Sequence, residues 1–466
     1  MKIIYKIIIL IGLSMICFTS CDSILDNEPK TQITEDVVYN NYSDLYAYLL
    51  SSYDVLQGSG YYGRDFIVDA DIMADNTRLS EKNSGRFDEE EMNYRESGVS
   101  TWDNDYEIIS TSNNVLYAVQ NLSNITDEQQ KDLIGQAYFL RALAYFDLLR
   151  VYAREPNHLV NNFNLACPIV LAPFSFNTSV ILPERAIVTD VYAQVESDLL
   201  NAISFLNNDN LPYYASELAS KALLSRVYLY EEKWADAAEM ANDIIVNSGL
   251  ELTTAGSYSD IYKKDSEAIL NLAYATDESL KYDSLQSIFM EQENTLTGYG
   301  DVVPTDNLLN TFQNNSDRKT IYRAAKKGTE DVYFSTKYNG NGGAFGVDNI
   351  NLIRTSEVYL NAAEAYAKSQ NYTKARILIN ILRSHRNLTN IEDSVTGQDL
   401  INIILKERRL ELCFEGHRFY DLKRLGNGIY KDDPDDNLDW DDYRIVKNIP
   451  IHDTDVNTNL IQNPQY

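Results

Sequence analysis

Apolar residues recur every three to four positions along most of the chain, and this spacing places them on one face of an α-helix. The third helix that the pattern predicts begins with a capping box, since the side chain of Gln129 can reach back to the amide of Thr126. The predicted helices run approximately over residues 34–56, 103–122, 126–152, 185–206, 216–231, 233–247, 354–369, 372–385 and 398–415. The chain is therefore predicted to be mainly α.

Two pairs of these helices share a spacing that is typical of tetratricopeptide-like packing. Tyr228 on the fifth helix lies nine residues before Ala237 on the sixth, and Tyr366 on the seventh lies nine before Ala375 on the eighth. A small Ala lets two antiparallel helices approach closely, and the Tyr fills the groove. The third and fourth helices are candidates for a further pair. Because the copies are not in tandem and no low-complexity linker divides the chain, we expect one compact domain.

Long irregular segments separate the helices. They are rich in Gly, Asn and Asp and cover residues 57–66, 153–183, 249–303 and 328–351. Loops of this length on a rigid frame commonly carry binding functions. We therefore expect a ligand site in these segments.

The N-terminus is typical of an exported lipoprotein. Two lysines precede an apolar run from Ile7 to Phe18, which is too short to span a bilayer and ends in small residues before Cys21. We expect a signal peptide over residues 1–20, a lipid on Cys21 and a polar tether over 21–31. No later apolar stretch reaches about 18 residues, so the lipid would be the only membrane anchor. The alternative is a plain signal peptide with Cys21 free.

Charge and composition narrow the function classes. The formal charge is −29, from 40 Lys and Arg against 69 Asp and Glu, and no basic stripe offsets it, which argues against nucleic-acid binding. The 34 tyrosines, against 15 Phe and 3 Trp, suit half-wet surfaces and sugar stacking. A compositional bias of the source proteome explains the tyrosines equally well.

The sequence carries no catalytic constellation. The four histidines show no metal-ligand spacing, and HExxH, G-x-S-x-G and Walker A motifs are absent from the sequence. The acidic run 432–442 lacks the mid-loop Gly and terminal Glu of an EF-hand, so a solvated loop is favoured over a structural Ca²⁺ site. The oxygen ligands of the less favoured calcium site would be Asp433, Asp435, Asn437 and Asp439. No other cofactor is predicted.

Two cysteines remain in the mature chain. Cys167 and Cys413 both lie in apolar surroundings, which favours buried free thiols. A disulfide between them is the alternative, since an exported protein permits one.

An ordered series of motifs covers nearly the whole mature chain. The motifs are Leu25-Asp26-Asn27-Glu28-Pro29, Gly135 to Tyr152, Ser220 to Tyr230, Pro304-Thr305, Ile353 to Leu360, Glu407 to Leu412, Glu415 to Arg424, and Gln462 to Tyr466. In this order they resemble the RagB/SusD family of outer-membrane nutrient-binding lipoproteins. Ala153, Thr355 and Gln465 depart from the family's usual Gly, Tyr and Gly. The N-terminal SusD-like part would cover about 32–215 and the C-terminal RagB/SusD part about 265–466, within one domain over 32–466.

The resemblance implies a fold and a function. The fold would be a SusD-like single domain built on tetratricopeptide-like helix pairs with long irregular ligand-binding loops. The protein would sit on the outside of the outer membrane, bind an oligosaccharide or a peptide without chemistry, and pass it to a SusC-like TonB-dependent barrel as a hinged lid. The alternatives are a helical-repeat scaffold that binds a protein partner and, with less support, a secreted hydrolase.

The charged motifs of the C-terminal half are interpreted as scaffold rather than ligand contacts. Their spacing of three to four residues predicts ion pairs within one helix, with Arg354 and Glu364 as further partners. The residues concerned are Glu407, Arg408, Glu411, Glu415, Arg418, Asp421 and Arg424.

The ligand-contact candidates are chosen by composition, because the family's binding loops vary. They are aromatic residues that could stack on sugar faces, and ordinary loop packing is the alternative for each. Trp102 and Trp234 are predicted to be core residues instead. The candidates are Tyr61, Tyr62, Phe87, Tyr94, Tyr282, Phe289, Tyr299 and Trp440.

Overall fold

A computed structural model describes residues 41–173, 182–291, 297–340 and 342–466. The predictions on the signal peptide, Cys21, the tether and positions 34–40 of the first helix lie outside the described residues. The helices of the first half are α1 (Tyr42–Gln57), α2 (Asp65–Ile72), α3 (Asp88–Glu91), α4 (Trp102–Ala118), α5 (Asp127–Tyr152), α6 (Val188–Phe205), α7 (Glu217–Tyr230) and α8 (Trp234–Asn247). Those of the second half are α9 (Asp260–Lys263), α10 (Leu285–Phe289), α11 (Asp306–Thr311), α12 (Thr355–Lys368), α13 (Tyr372–Ser384), α14 (Gly397–Leu412), α15 (Arg418–Arg424) and α16 (Ile451–Val456).

The mainly α prediction is confirmed, and the helix boundaries follow local capping. The Thr126 side chain accepts a hydrogen bond from the Gln129 amide, and the Gln129 side chain accepts one from the Thr126 amide. The last predicted helix ends three residues earlier than expected. It ends at Leu412 because Phe414 and Gly416 adopt left-handed backbone with φ of 66° and 81°.

Among the described residues, three small antiparallel sheets occur where the sequence pattern predicts no strands. Two of them pair strands that are far apart in sequence, and the third is a local hairpin. The strands are only three to six residues long, which gives too few alternating positions to reveal them. The pairs are β1 (Thr77–Leu79) with β3 (Val302–Pro304), β2 (Ala268–Leu272) with β6 (Ile350–Arg354), and β4 (Tyr322–Lys327) with β5 (Glu330–Ser335).

The predicted helix pairs form and stack on one another. Helix α7 packs on α8, α12 packs on α13, and α8 packs on α12, although about a hundred residues separate the two pairs in sequence. Ala237 and Ala375 are fully buried, as close helix packing requires. Helix α5 also packs on α6, which confirms the third pair.

A large hydrophobic cluster runs through the helical frame. Trp102 is buried in it, whereas Trp234 is only half-buried and packs against its edge. Cys167 and Cys413 are buried and unpaired, so the free-thiol prediction is confirmed. Burial raises the pKa of the Cys167 thiol to about 12, which makes it unreactive. In the described part of the chain, every helix is too short or too polar to cross a membrane.

A buried ion-pair network surrounds Glu411 on α14, and we call it the Glu411 network. The carboxylate accepts hydrogen bonds from Arg318 at 2.6 Å, Arg354 at 2.8 Å and Arg386 at 3.0 Å. All four side chains are almost fully buried. Although burial alone raises the pKa of Glu411, the three guanidinium groups outweigh it and hold the pKa well below its usual value.

The expected pairing within one helix is wrong for α14, but it holds on α15, where Asp421 and Arg424 meet at 2.8 Å. The scaffold interpretation agrees with the structure. The charges on α14 pair with other elements because their side chains point into the interior, where only distant segments can reach them. Arg354 also bonds Glu415 at 2.7 Å, and Arg424 holds Glu364 through two bonds of 2.6 and 2.8 Å. The prediction that Arg354 and Glu364 pair with the charged motifs is thus confirmed, since Arg354 binds Glu415 and Glu364 binds Arg424.

Glu411→Gln is expected to lower the free energy of unfolding by about 3–5 kcal/mol, because it leaves three buried guanidinium groups with too little negative charge. Chemical denaturation monitored by circular dichroism measures the loss. The matched control is Asp331→Asn, which breaks the exposed pair with Lys326. This variant should leave the free energy of unfolding unchanged within experimental error. Equal effects of the two variants would show that burial does not strengthen the network.

Candidate functional site

A surface cleft of about 590 Å³ opens beside α2, and we call it the cleft. It is bounded by three chain segments, residues 60–69, 86–100 and the short turn at Asp283. Its lining is mostly charged and polar. The lining residues are Gly60, Arg64, Asp65, Asp69, Arg86, Phe87, Glu90, Gly98, Val99, Ser100 and Asp283.

Local backbone geometry shapes the walls of the cleft. Arg64 directly precedes α2, and Asp65 and Asp69 lie one helical turn apart on that helix, so all three reach the same side. Gly98 has a φ of 90°, and a Cβ atom there would lie 2.7 Å from the Met73 sulfur. Glycine is therefore needed for the 97–100 segment to approach the end of α2 and close that wall.

Two arginines converge on Asp283 at the rim. The Oδ1 atom of Asp283 lies 2.6 Å from Nη1 of Arg64 and 3.2 Å from Nη1 of Arg86. Nε of Arg64 also lies 2.5 Å from Oδ1 of Asp65. The side chain of Asp283 is half exposed. Ion pairs at this exposure contribute little to stability, so these donors and acceptors are available for exchange with a ligand.

An aromatic cluster adjoins the cleft and is formed by Tyr282, Tyr299 and Phe345. The Arg86 guanidinium lies 4.6 Å from the centre of the Tyr299 ring. The Tyr282 ring centre is 5.7 Å from that of Tyr299 and 5.3 Å from that of Phe345, and Tyr282 is 51% exposed. Arg86 thus contacts both the cleft and the cluster. Flat apolar faces beside charged hydrogen-bonding groups suit a ligand with many hydroxyl groups.

Three of the sequence candidates meet at this site. Phe87 lines the cleft, and Tyr282 and Tyr299 belong to the aromatic cluster. Tyr94 and Trp440 are exposed to 52% and 43%, but neither lines the cleft.

Three other candidates are buried, and the structure corrects the expectation that they present faces to a ligand. The Tyr61 and Tyr62 hydroxyls donate to Asp147 at 2.5 and 2.8 Å inside the helical frame. Phe289 is fully buried and packs edge-on against Phe414. Composition could not distinguish these buried rings from the exposed ones. The hydroxyls of Tyr61 and Tyr62 are hydrogen-bonded by Asp147, which is more than eighty residues away in sequence, so nothing local marks the two tyrosines as buried.

Sequence reasoning missed most of the polar residues of the cleft. These residues come from distant segments of the chain, and single Arg or Asp residues form no recognisable sequence motif. They are Arg64, Asp69, Arg86 and Asp283, and more than a hundred residues separate the first three from the last. The same holds for Phe345, whose only signal is its place in an irregular Gly- and Asn-rich segment.

The calcium ligands suggested by the acidic run do not assemble. The Asp433 carboxylate caps the Asp435 amide at 3.0 Å, and the Asn437 side chain accepts from the Lys431 amide at 2.7 Å. The Asp439 side chain accepts from the Tyr430 hydroxyl at 3.4 Å. Among the described residues, one group of three side chains that could hold a metal ion lies close together. It is formed by Asp103, His452 and Asp453, outside the acidic run.

Comparisons with known proteins agree with this architecture. Residues 253–466 match the model of the SusD family, and residues 24–229 match a model described as "Starch-binding associating with outer membrane". SusD-like protein P38 of Formosa agariphila is 26% identical over 99% of both chains.

Solved structures show the same fold. A putative sugar binding protein from Bacteroides vulgatus is 29% identical, with a TM-score of 0.79 over 92% of this chain and 99% of that one. A SusD superfamily protein from Bacteroides thetaiotaomicron is 26% identical, with a TM-score of 0.81 over 91% of this chain and 100% of that one.

Proposed function

Because the chain belongs to the SusD family, we propose that it is a carbohydrate-binding outer-membrane lipoprotein and that the cleft and aromatic cluster hold its glycan. Proteins of this family are non-enzymatic binding proteins. The function is accordingly capture and release, without turnover.

One observation carries the assignment of the site. Arg86 contacts Asp283 in the cleft and the Tyr299 ring in the aromatic cluster, so polar and stacking surfaces are continuous. A sugar ring on Tyr282 or Phe345 would place its hydroxyl groups near Arg86 and Asp283. The family description as starch-binding and the sugar-binding name of a similar structure support a glycan over a peptide.

The remaining parts of the proposal follow from the family. Cys21 carries the lipid that anchors the protein, and the partner is a SusC-like TonB-dependent barrel that receives the ligand. A peptide ligand, or a scaffold role with a protein partner alone, is the competing function.

Calorimetric titration of residues 22–466 against oligosaccharides and oligopeptides tests the function. We expect heat of binding with one class of glycan. Heat with peptides alone would keep the uptake role and change the ligand class. Absence of heat across the whole panel would contradict nutrient binding and favour the scaffold.

Tyr282→Ala is expected to weaken binding of that glycan roughly tenfold, because it removes the most exposed stacking face of the aromatic cluster. The same titration measures the dissociation constant. Tyr213→Ala is the matched control, since Tyr213 is similarly exposed at 46% but lines a different pocket. If the two variants bind equally well, the glycan lies elsewhere.

Cys21→Ala is expected to move the protein out of the outer-membrane fraction, since the lipid is the proposed anchor. Immunoblotting of fractionated cells, with an unrelated lipoprotein as internal control, measures this. A variant that stays in the membrane fraction would refute lipid anchoring through Cys21.

A further inference from the structure

Asp69 occupies an unusual place on the floor of the cleft. Its side chain lines both the cleft and a smaller inner pocket of about 30 Å³, which lies between α2, the 97–99 segment and α15. The residue is only 4% exposed. Its buried Oδ1 atom has no hydrogen-bond partner among the described residues.

Such an arrangement is costly in a folded protein. A buried polar atom is normally hydrogen-bonded, and an exception calls for an explanation such as a missing water or ligand. The inner pocket has room for a single hydroxyl group or water beside the Asp69 carboxyl. The cleft is the route by which that group would enter.

The surroundings of Asp69 favour the neutral form of its carboxyl. Burial is the main cause that raises the pKa of Asp69 well above its usual value, and the carboxylates of Asp65 and Glu90 raise it further. Lys447 on the C-terminal segment and Arg64 oppose this effect without reversing it. Tyr420 on α15 lines the same inner pocket, and the charge of the Asp69 carboxylate contributes to raising the pKa of its hydroxyl. A neutral carboxyl both donates and accepts a hydrogen bond.

We propose that Asp69 is a specificity-determining residue, whose buried carboxyl binds one neutral hydroxyl group of the ligand in the inner pocket. This inference rests on the proposed function and names a subsite within it. A site built around a hydroxyl rejects analogues that lack it, because the buried polar group then stays unpaired. The subsite therefore selects sugars that carry this hydroxyl over the analogues that lack it.

The test uses Asp69→Leu and Asp69→Asn, titrated with the glycan that the wild type binds. Asp69→Leu should weaken binding 10- to 100-fold, and Asp69→Asn, which keeps a donor and an acceptor, should weaken it less than fivefold. Wild-type affinity should change with pH as Asp69 titrates, whereas the affinity of the Asn variant should not. Deoxy analogues of the glycan should lose affinity for the wild type and lose little for Asp69→Leu.

Thermal melting separates this role from a structural one. Removing an unpartnered carboxyl should leave the melting temperature of Asp69→Leu equal to that of the wild type or higher. Because the folded-state pKa is raised, the neutral carboxyl favours folding most at acidic pH, and this contribution is lost as the pH rises. The melting temperature of Asp69→Asn relative to the wild type should therefore increase with pH.

The outcomes distinguish this inference from the proposed function. If Tyr282→Ala weakens binding and Asp69→Leu does not, the Asp69 subsite is refuted and the glycan function stands. A large drop in the melting temperature of both Asp69 variants would make Asp69 structural and overturn the inference. A wild type that binds no glycan would overturn both.

Discussion

The buried ion pairs around Glu411 are the constraint on which the arrangement of the C-terminal half depends. They join α14 to the start of α12 through Arg354, to the residues after α13 through Arg386, and to the turn before β4 through Arg318. Apolar contacts tolerate small displacements, but buried charges with several partners do not, because a displaced charge has no water to solvate it. The network therefore fixes one relative placement of these elements.

The same network reaches the cleft through the chain that follows α14. Arg354 and Lys337 hold Glu415, and the neighbouring Phe414 amide donates to the Asp71 carboxylate of α2 at 2.8 Å. Gly416 lies close against Ile67 on the same helix. Helix α2 carries Asp65 and Asp69, so the floor of the cleft is positioned by charged groups that lie outside the cleft.

The limits of sequence reasoning in this chain have a physical origin. Helices, the Thr126 cap and the Tyr–Ala spacing of the pairs are local patterns, and the structure contains them. The partners of Glu411 lie 25 to 93 residues away, and no spacing rule predicts which arginine a buried glutamate meets. The cleft also joins distant segments. Of the cleft and the aromatic cluster, only Phe87, Tyr282 and Tyr299 stood out by composition. Composition equally selected Tyr61, which a buried carboxylate holds in the core.

Floor and rim of the cleft differ in how firmly they are held, and this difference suits a binding protein that must also release its ligand. The floor is tied to buried charges, so Asp69 is presented without loss of side-chain freedom on binding. The rim carries half-exposed pairs such as Arg64 with Asp283, which exchange partners at little cost. Under the proposed function, selectivity resides in the rigid floor. The rim would then supply adaptable contacts that form and break with the ligand, because each replaces a weak ion pair rather than a strong one.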